Sequence, residues 1–341
     1  MGASLEQRVQ AAWARRGPLA CALWPLAALY GLIWRLREAA FAHGLLATQR
    51  LAVPVVVVGN LVAGGAGKTP TVLALVALLR RHGWRPGVVS RGYGRRGDEI
   101  VEVDARSAAA TAGDEPVLIA RRSGVPVVVG RDRADAARQL LARHPDVDLI
   151  VCDDGLQHHR LARDLQLIVF DERGAGNGWL LPAGPLREPL RAAPPANSRV
   201  LYNAAAPSTP WPGALAVRGF GGLVPLADWW RGRPPSSEAL ASLAGRRVIA
   251  AAGLARPGRY FDMLRGAGLD IAPMALPDHH DFAALPWPAG ADVIVTEKDA
   301  VKLDPTRAGC ERVRVAALDF RFPPEFEADL LAALGPTSTR E

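Results

Sequence analysis

A glycine-rich segment that ends in Lys68 and Thr69 carries the strongest chemical signal in the sequence. Residues 59–70 read Gly-Asn-Leu-Val-Ala-Gly-Gly-Ala-Gly-Lys-Thr-Pro, and this pattern is typical of a loop that binds nucleotide phosphates. Glycine backbone N–H groups can turn inward around phosphate oxygens, and the N-terminus of a following helix adds its positive dipole end. The predicted ATP contacts are Gly64, Gly65, Ala66, Gly67, Lys68, Thr69 and Pro70.

Within this loop, Lys68 is expected to reach the β- and γ-phosphates, and the Thr69 hydroxyl is expected to ligate Mg²⁺. One position departs from the strict pattern, because Val62 stands where a glycine is usual. The lysine is informative in itself: the chain has 41 lysines and arginines, and only Lys68, Lys298 and Lys302 are lysines. A lysine retained in such a chain indicates a place where the chemistry needs a compact ammonium group.

Two adjacent carboxylates, Asp153 and Asp154, follow the apolar run 149–152 and precede a glycine. A nucleotide site of this type needs a carboxylate at a strand end to hold hydrated Mg²⁺. Neighbouring side chains of a strand point to opposite faces, so one acid can face the metal and the other the substrate. The pattern does not decide which is which, and a turn capped by acids is the plainer interpretation.

The elements that would position these groups are typical of an α/β protein. Residues 53–58 predict a strand before the loop, and Pro70 to Arg81 predict a helix after it. Further buried strands are predicted at 87–90, 125–129, 149–152 and 165–170, and in a second α/β part strands at 247–252 and 292–296 flank a helix at 258–266. Runs that are apolar on both faces favour a parallel sheet covered by helices.

The length of 341 residues suits two domains. We predict a membrane-associated segment at 1–50, a phosphate-loop domain at 51–228 and a smaller α/β domain at 229–336. An ordered Pro- and Arg-rich loop is expected at 181–195, a linker at 228–237 and a frayed end at 335–341.

The first fifty residues differ from the rest of the chain. Residues 17–34 contain no charged side chain and are flanked by arginines, while three tryptophans and Tyr30 suit the headgroup boundary of a membrane. Pro25 is expected to kink the helix. The segment predicts a helix that lies in one leaflet or barely spans the bilayer. One alternative is an apolar helix that packs on the protein's own core. The other is a cleaved signal peptide, against which the following cytosolic type of loop counts.

The composition limits the remaining classes of function. Hydrophobic residues make up 49% and charged residues 22% of the chain, and the net charge is +7. A basic surface favours anionic partners, although a general preference for arginine explains the charge equally well. The three cysteines are far apart and indicate neither a disulfide framework nor a zinc site. No aromatic-interleaved basic stripe indicates nucleic-acid binding.

Six motifs in a fixed order resemble those of one family. They are GNLVAGGAGKTP, SRGYGRR, GDEP, DDGLQHHRL, PAGPLREP and TEKDAVK, which lie between about residues 51 and 303. Together they resemble the tetraacyldisaccharide 4'-kinases of lipid A biosynthesis. The resemblance implies a phosphate-loop fold and transfer of the ATP γ-phosphate to the 4'-hydroxyl of a tetraacylated glucosamine disaccharide 1-phosphate. It also implies a location on the cytoplasmic face of the inner membrane, with a lipid substrate and no obligate protein partner.

The resemblance also assigns roles. It implies that Asp114, in Gly-Asp-Glu-Pro, is the base that accepts the hydroxyl proton, although the residues alone equally allow a helix N-cap there. It implies that His279 pairs with this aspartate once the domains close, with His280 a less favoured partner and Asp278 able to orient the ring.

Six further residues carry weaker expectations. Arg187 can neutralise the transferred phosphate or hold the substrate 1-phosphate, and Glu188 joins Thr69, Asp153 and Asp154 as a candidate metal ligand. Arg91, Tyr93 and Arg95 can contact phosphate or sugar. Lys298 is expected to have a role, and a nucleotide contact is one interpretation.

Two alternatives stay open on the residues alone. One is a phosphate-loop kinase of a soluble small molecule, against which the apolar N-terminal segment counts. The other is a membrane-bound switch ATPase that acts on a protein partner. Such ATPases carry an additional lysine early in the loop, where this chain has Ala63.

Overall fold

The computed structural model describes residue 9 and residues 11–336, apart from the side chain of Ser237. The helices are α1 (Pro18–Ala42), α2 (Lys68–Arg81), α3 (Ala109–Ala112), α4 (Asp114–Ser123), α5 (Arg133–Arg143), α6 (Leu226–Trp230), α7 (Ser237–Ala241), α8 (Gly258–Gly266), α9 (Glu297–Ala300) and α10 (Pro324–Leu334). The strands are β1 (Val55–Gly59), β2 (Pro86–Ser90), β3 (Val101–Val103), β4 (Val127–Val129), β5 (Leu149–Asp153), β6 (Leu165–Asp171), β7 (Ser198–Asn203), β8 (Ala214–Leu215), β9 (Val217–Pro225), β10 (Val248–Ala252), β11 (Ile271–Ala275), β12 (Val293–Thr296) and β13 (Val313–Arg321).

The chain forms two compact units, and both are discontinuous in sequence. The first unit contains the described residues of 1–91, 132–216 and 322–341, and the second contains 92–131 and 217–321. This division differs from the predicted continuous domains, because segment 92–131 packs with the C-terminal part. Its Arg121, for example, donates to the carbonyl of Trp229 at 2.9 Å and stacks on the Trp229 ring.

The first unit contains six neighbouring parallel strands in the order β2-β5-β1-β6-β7-β8. Every residue of β1 and β5 is buried, as expected for strands covered on both faces. Because the strands are parallel, their carboxyl ends meet at one edge of the sheet, where ligands bind in such folds. Gly59, Asp153, Asp171 and Asn203 end four of these strands.

The second unit contains the sheet β11-β10-β12-β13-β9, in which only the β13–β9 pairing is antiparallel. In the same unit, β3 and β4 pair antiparallel. The predicted helix 258–266 and the strands β10 and β12 are confirmed. Leu264 of that helix packs with Leu223, Ala250 and Ile294 in the core of this unit.

The predicted linker at 228–237 is wrong. The α6 helix includes Trp229, whose side chain is only 5% exposed and whose indole N–H donates to Glu297 at 3.2 Å. Proline and arginine around the two tryptophans suggested a solvated connection, whereas the Trp229 indole is buried and the Trp230 indole donates to the carbonyl of Leu303 at 2.9 Å. Of the predicted frayed end, 337–341 lie outside the described residues.

The α1 helix runs from Pro18 through Pro25 to Ala42 without a break. One side of the helix contacts the rest of the first unit. There, the Tyr30 hydroxyl donates to the carbonyl of Arg187 at 2.6 Å. The opposite side is apolar and exposed by 51–62%, at Trp24, Leu26, Leu29, Leu32, Ile33 and Leu36. This exposure contradicts packing of the whole helix on the protein's own core. Among the described residues, α1 is the one helix long and apolar enough to cross a membrane by length and composition.

Candidate active site

The phosphate loop connects β1 to α2, as predicted. Gly67 lies at the helix N-terminus with φ +92°, a conformation that favours glycine. A Cβ atom at this position would collide with the side-chain amide of Asn203. That amide donates to the carbonyl of Ala66 at 3.0 Å and so fixes the last turn of the loop. This contact of Asn203 with the loop is one that the sequence reasoning missed.

Lys68 is the first residue of α2, and its side chain is 9% exposed. Its Nζ donates to Oδ1 of Asn60 at 3.2 Å and lies 3.6 Å from Oδ1 of Asp154. Arg187 Nη1 lies 3.0 Å from the same carboxylate oxygen. Burial alone would raise the pKa of Asp154, but Lys68 and Arg187 lower it, so this carboxylate is ionised.

A second arginine, Arg173, stabilises the phosphate loop through contacts with its backbone. Arg173 forms an ion pair with Asp171, the buried last residue of β6, with Nη2 2.8 Å from Oδ2. Its Nη1 and Nη2 donate to the carbonyls of Ala63 and Gly65, both at 3.0 Å. The guanidinium therefore ties the loop to a strand end. An acid directly after a buried strand, the same context that singled out Asp153, is the sequence signal that could have revealed it.

The candidate metal ligands carry oxygen donors only. Asp153 is buried, and its Oδ2 accepts from the Ser90 hydroxyl at 3.0 Å. Glu188 Oε1 accepts from Gln157 at 2.9 Å, and burial raises the pKa of this glutamate. Within the described part of the chain, no three His, Cys, Asp or Glu side chains converge on one point. Hydroxyl and carboxylate oxygens nevertheless fit Mg²⁺, which takes one or two carboxylates together with phosphate oxygens and water.

The second cluster contains Asp114 and His279, which both belong to the second unit. The Asp114 side chain is 4% exposed, and its Oδ2 lies 2.9 Å from Nδ1 of His279. The expectation that this contact requires domain closure is therefore corrected, because the pair forms within one compact unit. The N-cap alternative is also wrong. Gly113 occupies the cap position, and Asp114 is already the first helical residue.

The electrostatics of the pair favour an ionised carboxylate. Burial opposes the charge of Asp114, but the hydrogen bond to His279 and the nearby Lys298 together lower its pKa. The hydrogen bond to Asp114 raises the pKa of His279, while partial burial and Lys298 oppose that rise. A carboxylate that is ionised at neutral pH can accept a hydrogen bond from a substrate hydroxyl.

Lys298 lies beside this pair and not in the phosphate loop's unit. Its Nζ is 3.2 Å from Oε1 of Glu115, 3.3 Å from Oδ1 of Asp278 and 3.9 Å from Oδ2 of Asp114. It also lies 3.4 Å from Nε2 of His279. These carboxylates raise its pKa despite the opposing effect of burial. No local motif assigned a defined role to this lysine.

Comparisons with known proteins identify the family of this chain. Residues 19–335 match the family model described as tetraacyldisaccharide-1-P 4'-kinase. The chain belongs to this family. It is 57% identical to the tetraacyldisaccharide 4'-kinase of Methylibium petroleiphilum, over 99% of this chain and 96% of that protein. It is 56% identical to the enzyme of the same name from Leptothrix cholodnii, over 97% and 96% of the two chains.

A solved family member shares the fold. The structure of LpxK from Aquifex aeolicus in complex with ATP matches with a TM-score of 0.77 and 28% identity, over 93% of this chain and 100% of that one. The predicted α/β phosphate-loop fold and the resemblance to lipid A 4'-kinases are thereby confirmed.

The structure brings the predicted site residues together in two groups, one in each unit. Lys68, Asp154 and Arg187 converge in the first unit. Asp114 and His279 converge in the second, where the Tyr93 ring lies 5.3 Å from the imidazole. His280 instead binds the backbone of its own loop, because its Nδ1 accepts from the N–H of Phe282 at 3.1 Å. The roles expected of Arg91 and Arg95 stay predictions.

Proposed function

We propose that this kinase transfers the γ-phosphate of ATP to the 4'-hydroxyl of a tetraacyldisaccharide 1-phosphate. The observation that carries the proposal is the contact of the buried Asp114 with His279, in a chain that also holds a phosphate loop. A phosphate loop alone serves many ATPases. A buried and ionised carboxylate hydrogen-bonded to histidine supplies what a hydroxyl acceptor needs, namely a group that takes its proton.

The first unit binds and neutralises the phosphates. Backbone N–H groups of residues 64–69 and the N-terminus of α2 surround the β- and γ-phosphates. Lys68 and Arg187 face the transferred group, because both already converge on Asp154. Bound Mg²⁺ would neutralise charge on the phosphate oxygens, with Thr69, Asp153, Asp154 and Glu188 as its candidate ligands.

The second unit handles the proton. The 4'-oxygen attacks the γ-phosphorus, the bond to the ADP oxygen breaks, and the hydroxyl proton passes to the carboxylate of Asp114. His279 donates to this carboxylate through Nδ1 and holds it in place. Tyr93 is 67% exposed and offers a ring face that can contact the sugar.

The proposed location is supported by α1. Its exposed leucines and Trp24 form an apolar face that suits the surface of a bilayer. An acylated substrate lies in the same bilayer, and ATP is available on the cytoplasmic side. We therefore place the enzyme at the cytoplasmic face of the inner membrane, with its helix in contact with lipid.

The test is label transfer from γ-labelled ATP in detergent with Mg²⁺ and the tetraacyldisaccharide 1-phosphate. Label should enter the lipid with the wild-type protein and disappear with Asp114→Asn. Asp262→Asn is the matched control, because Asp262 is an exposed aspartate on α8 whose partner is Arg265. Label that appears only as free phosphate with the wild-type protein would overturn the proposal and favour a switch ATPase.

A further inference from the structure

The most informative group outside the assigned roles is the ammonium of Lys298. It has three N–H donors and no acceptor. Three acceptors surround it at hydrogen-bonding distance: Oε1 of Glu115 at 3.2 Å, Oδ1 of Asp278 at 3.3 Å and Nε2 of His279 at 3.4 Å. The number of donors matches the number of acceptors.

The contact with His279 determines where the imidazole carries its proton. An ammonium can only donate, so Nε2 of His279 must accept, and a ring nitrogen that accepts carries no proton. The proton of the neutral ring therefore lies on Nδ1. That nitrogen is 2.9 Å from Oδ2 of Asp114, so the ring donates to the carboxylate, as a proton-accepting base requires.

The three acceptors also come from different parts of the second unit. Glu115 lies on α4, next to Asp114, while Asp278 and His279 lie on the loop after β11. His279 has φ +58°, a backbone conformation that a non-glycine residue keeps only when its surroundings hold it. Lys298, on α9, links this loop to α4.

We propose that Lys298 is a positioning residue for the transfer reaction, which fixes the Nδ1–H form of His279 and holds it against Asp114. This inference rests on the proposed function, in which Asp114 is the base. It replaces a nucleotide contact as the role of this lysine, because an ammonium shared among three acidic or basic acceptors has no N–H left for a phosphate.

The inference explains why lysine stands here in a chain that otherwise uses arginine. The planar guanidinium of arginine presents its donors in one fork, whereas the three acceptors of Lys298 lie around a single nitrogen. Lys302, the other lysine of the second unit, has a different setting. Its Nζ is 3.0 Å from the buried Asp299 and 3.9 Å from Asp114, so this ammonium is held by a buried carboxylate of α9.

The charges around Asp114 and His279 determine the direction in which the pH profile should move. His279 faces Asp114 from α4, Lys298 from α9 and Asp278 from its own loop, and the Tyr93 ring packs on it. Asp114 faces Lys298 and Lys302 in addition. Removing the Lys298 charge makes the carboxylate less favourable and the imidazolium more favourable. Both changes move protonation of the pair to higher pH.

The experiment compares Lys298→Met, Lys298→Arg and the control Arg265→Met by label transfer into lipid from about pH 5 to 9. For Lys298→Met we expect kcat to fall by about 10- to 100-fold. The acid limb of its pH profile should move up by about one pH unit, with KM for ATP within about twofold of wild type. Lys298→Arg keeps the charge, so its acid limb should stay in place while kcat falls by about tenfold. Arg265→Met, which removes an exposed cation on α8, should change neither kcat nor the acid limb of the pH profile.

Two results would overturn the inference: an unshifted acid limb with wild-type kcat in Lys298→Met, or a raised KM for ATP with kcat unchanged. If that variant does not fold, isotope-edited NMR of the wild-type histidine ring nitrogens decides the question at alkaline pH, with His279→Gln to assign the signal. A proton on Nδ1 supports the inference, and a proton on Nε2 overturns it. Failure of the proposed function is distinct, because the wild-type protein would then not label lipid at all.

Discussion

Two lysines in this molecule lie beside carboxylates, and the charges around them differ in sign. Around Lys68 the neighbours are the neutral Asn60 and one carboxylate, Asp154, which Arg187 already compensates. Around Lys298 the neighbours are Asp114, Glu115 and Asp278. The first group has an excess of positive charge and attracts phosphate. The second has an excess of negative charge and holds its lysine in place. Residue type alone does not determine the function of a cationic side chain, since the charges around it also determine that function.

The two clusters also differ in how they are built. The phosphate loop is one continuous segment between β1 and α2, held by Asn203 and Arg173 from neighbouring strand ends. The pair of Asp114 and His279 comes from α4 and from a loop 165 positions further along the chain. The first cluster should therefore tolerate changes in distant segments better than the second.

The largest effect should come from Asp114→Asn. The amide cannot take the hydroxyl proton, so kcat should fall by about 10²- to 10⁴-fold while KM for ATP changes little. Steady-state kinetics with lipid substrate measure both constants. A variant that mainly weakens ATP binding would place Asp114 with the phosphate loop and remove the distinction between the clusters.

Lys68→Met should have the next largest effect, because it removes a charge that faces the transferred phosphate. We expect kcat/KM for ATP to fall by about 10²- to 10³-fold, with the fold intact by circular dichroism. Arg81→Met is a matched control, since Arg81 ends the same helix in an exposed ion pair with Glu327. Near-normal turnover by Lys68→Met would contradict the assignment of the loop.

The pH profile separates the clusters further. Hydrogen bonding to His279 lowers the pKa of Asp114, so His279→Gln should raise that pKa and move the acid limb of kcat/KM up by about one pH unit. The loss of activity should therefore be greater at acidic than at alkaline pH. A limb that stays in place or moves down would show that the histidine does not support the carboxylate.

Arg173→Met tests whether the loop depends on its brace. Without the hydrogen bonds to Ala63 and Gly65, the loop should be less well ordered for phosphate, and KM for ATP should rise by about tenfold with a smaller change in kcat. Arg199→Met is the control, because Arg199 pairs with Asp329 away from the loop. Equal KM values for the two variants would show that the loop holds its shape alone.

The smallest effect concerns α1. Replacing the exposed Leu29 and Leu32 by glutamine should lower activity on vesicle-embedded substrate by about two- to tenfold, through loss of apolar contact with lipid. Activity on the same substrate in detergent should change less. Val217→Gln, an exposed apolar position on β9, serves as control. An equal loss in both media would assign the helix face to the fold and not to the membrane.

Local sequence patterns predicted the first cluster well. The apolar runs before Gly59 and Asp153 indicated buried parallel strands, and such strands bring their ends to one edge. Lys68 and Asp154 could therefore be placed in one site from the residues alone. Asn203 and Arg173 were missed because each supports the loop through a contact that no local motif encodes.

The second cluster shows the opposite case. Asp114 and His279 were paired only through resemblance, and the expected domain boundary placed them in separate domains, whereas segment 92–131 belongs to the second unit. Trp229 likewise looked like part of a linker, although its indole is buried against Glu297. Contacts between distant segments decide such cases, and hydrophobic periodicity contains no information about them.

By itself, the sequence determined the phosphate loop, the parallel α/β architecture around it and the apolar character of α1, because glycine spacing and hydrophobic runs act over short distances along the chain. Only the tertiary structure decided which charges surround each lysine. An ammonium is stabilised by whatever lies within a few ångströms of it, and for Lys298 those groups come from α4 and from the loop after β11. The tertiary fold therefore surrounds Lys298 with carboxylates, whereas it leaves Lys68, within the phosphate loop, beside one carboxylate.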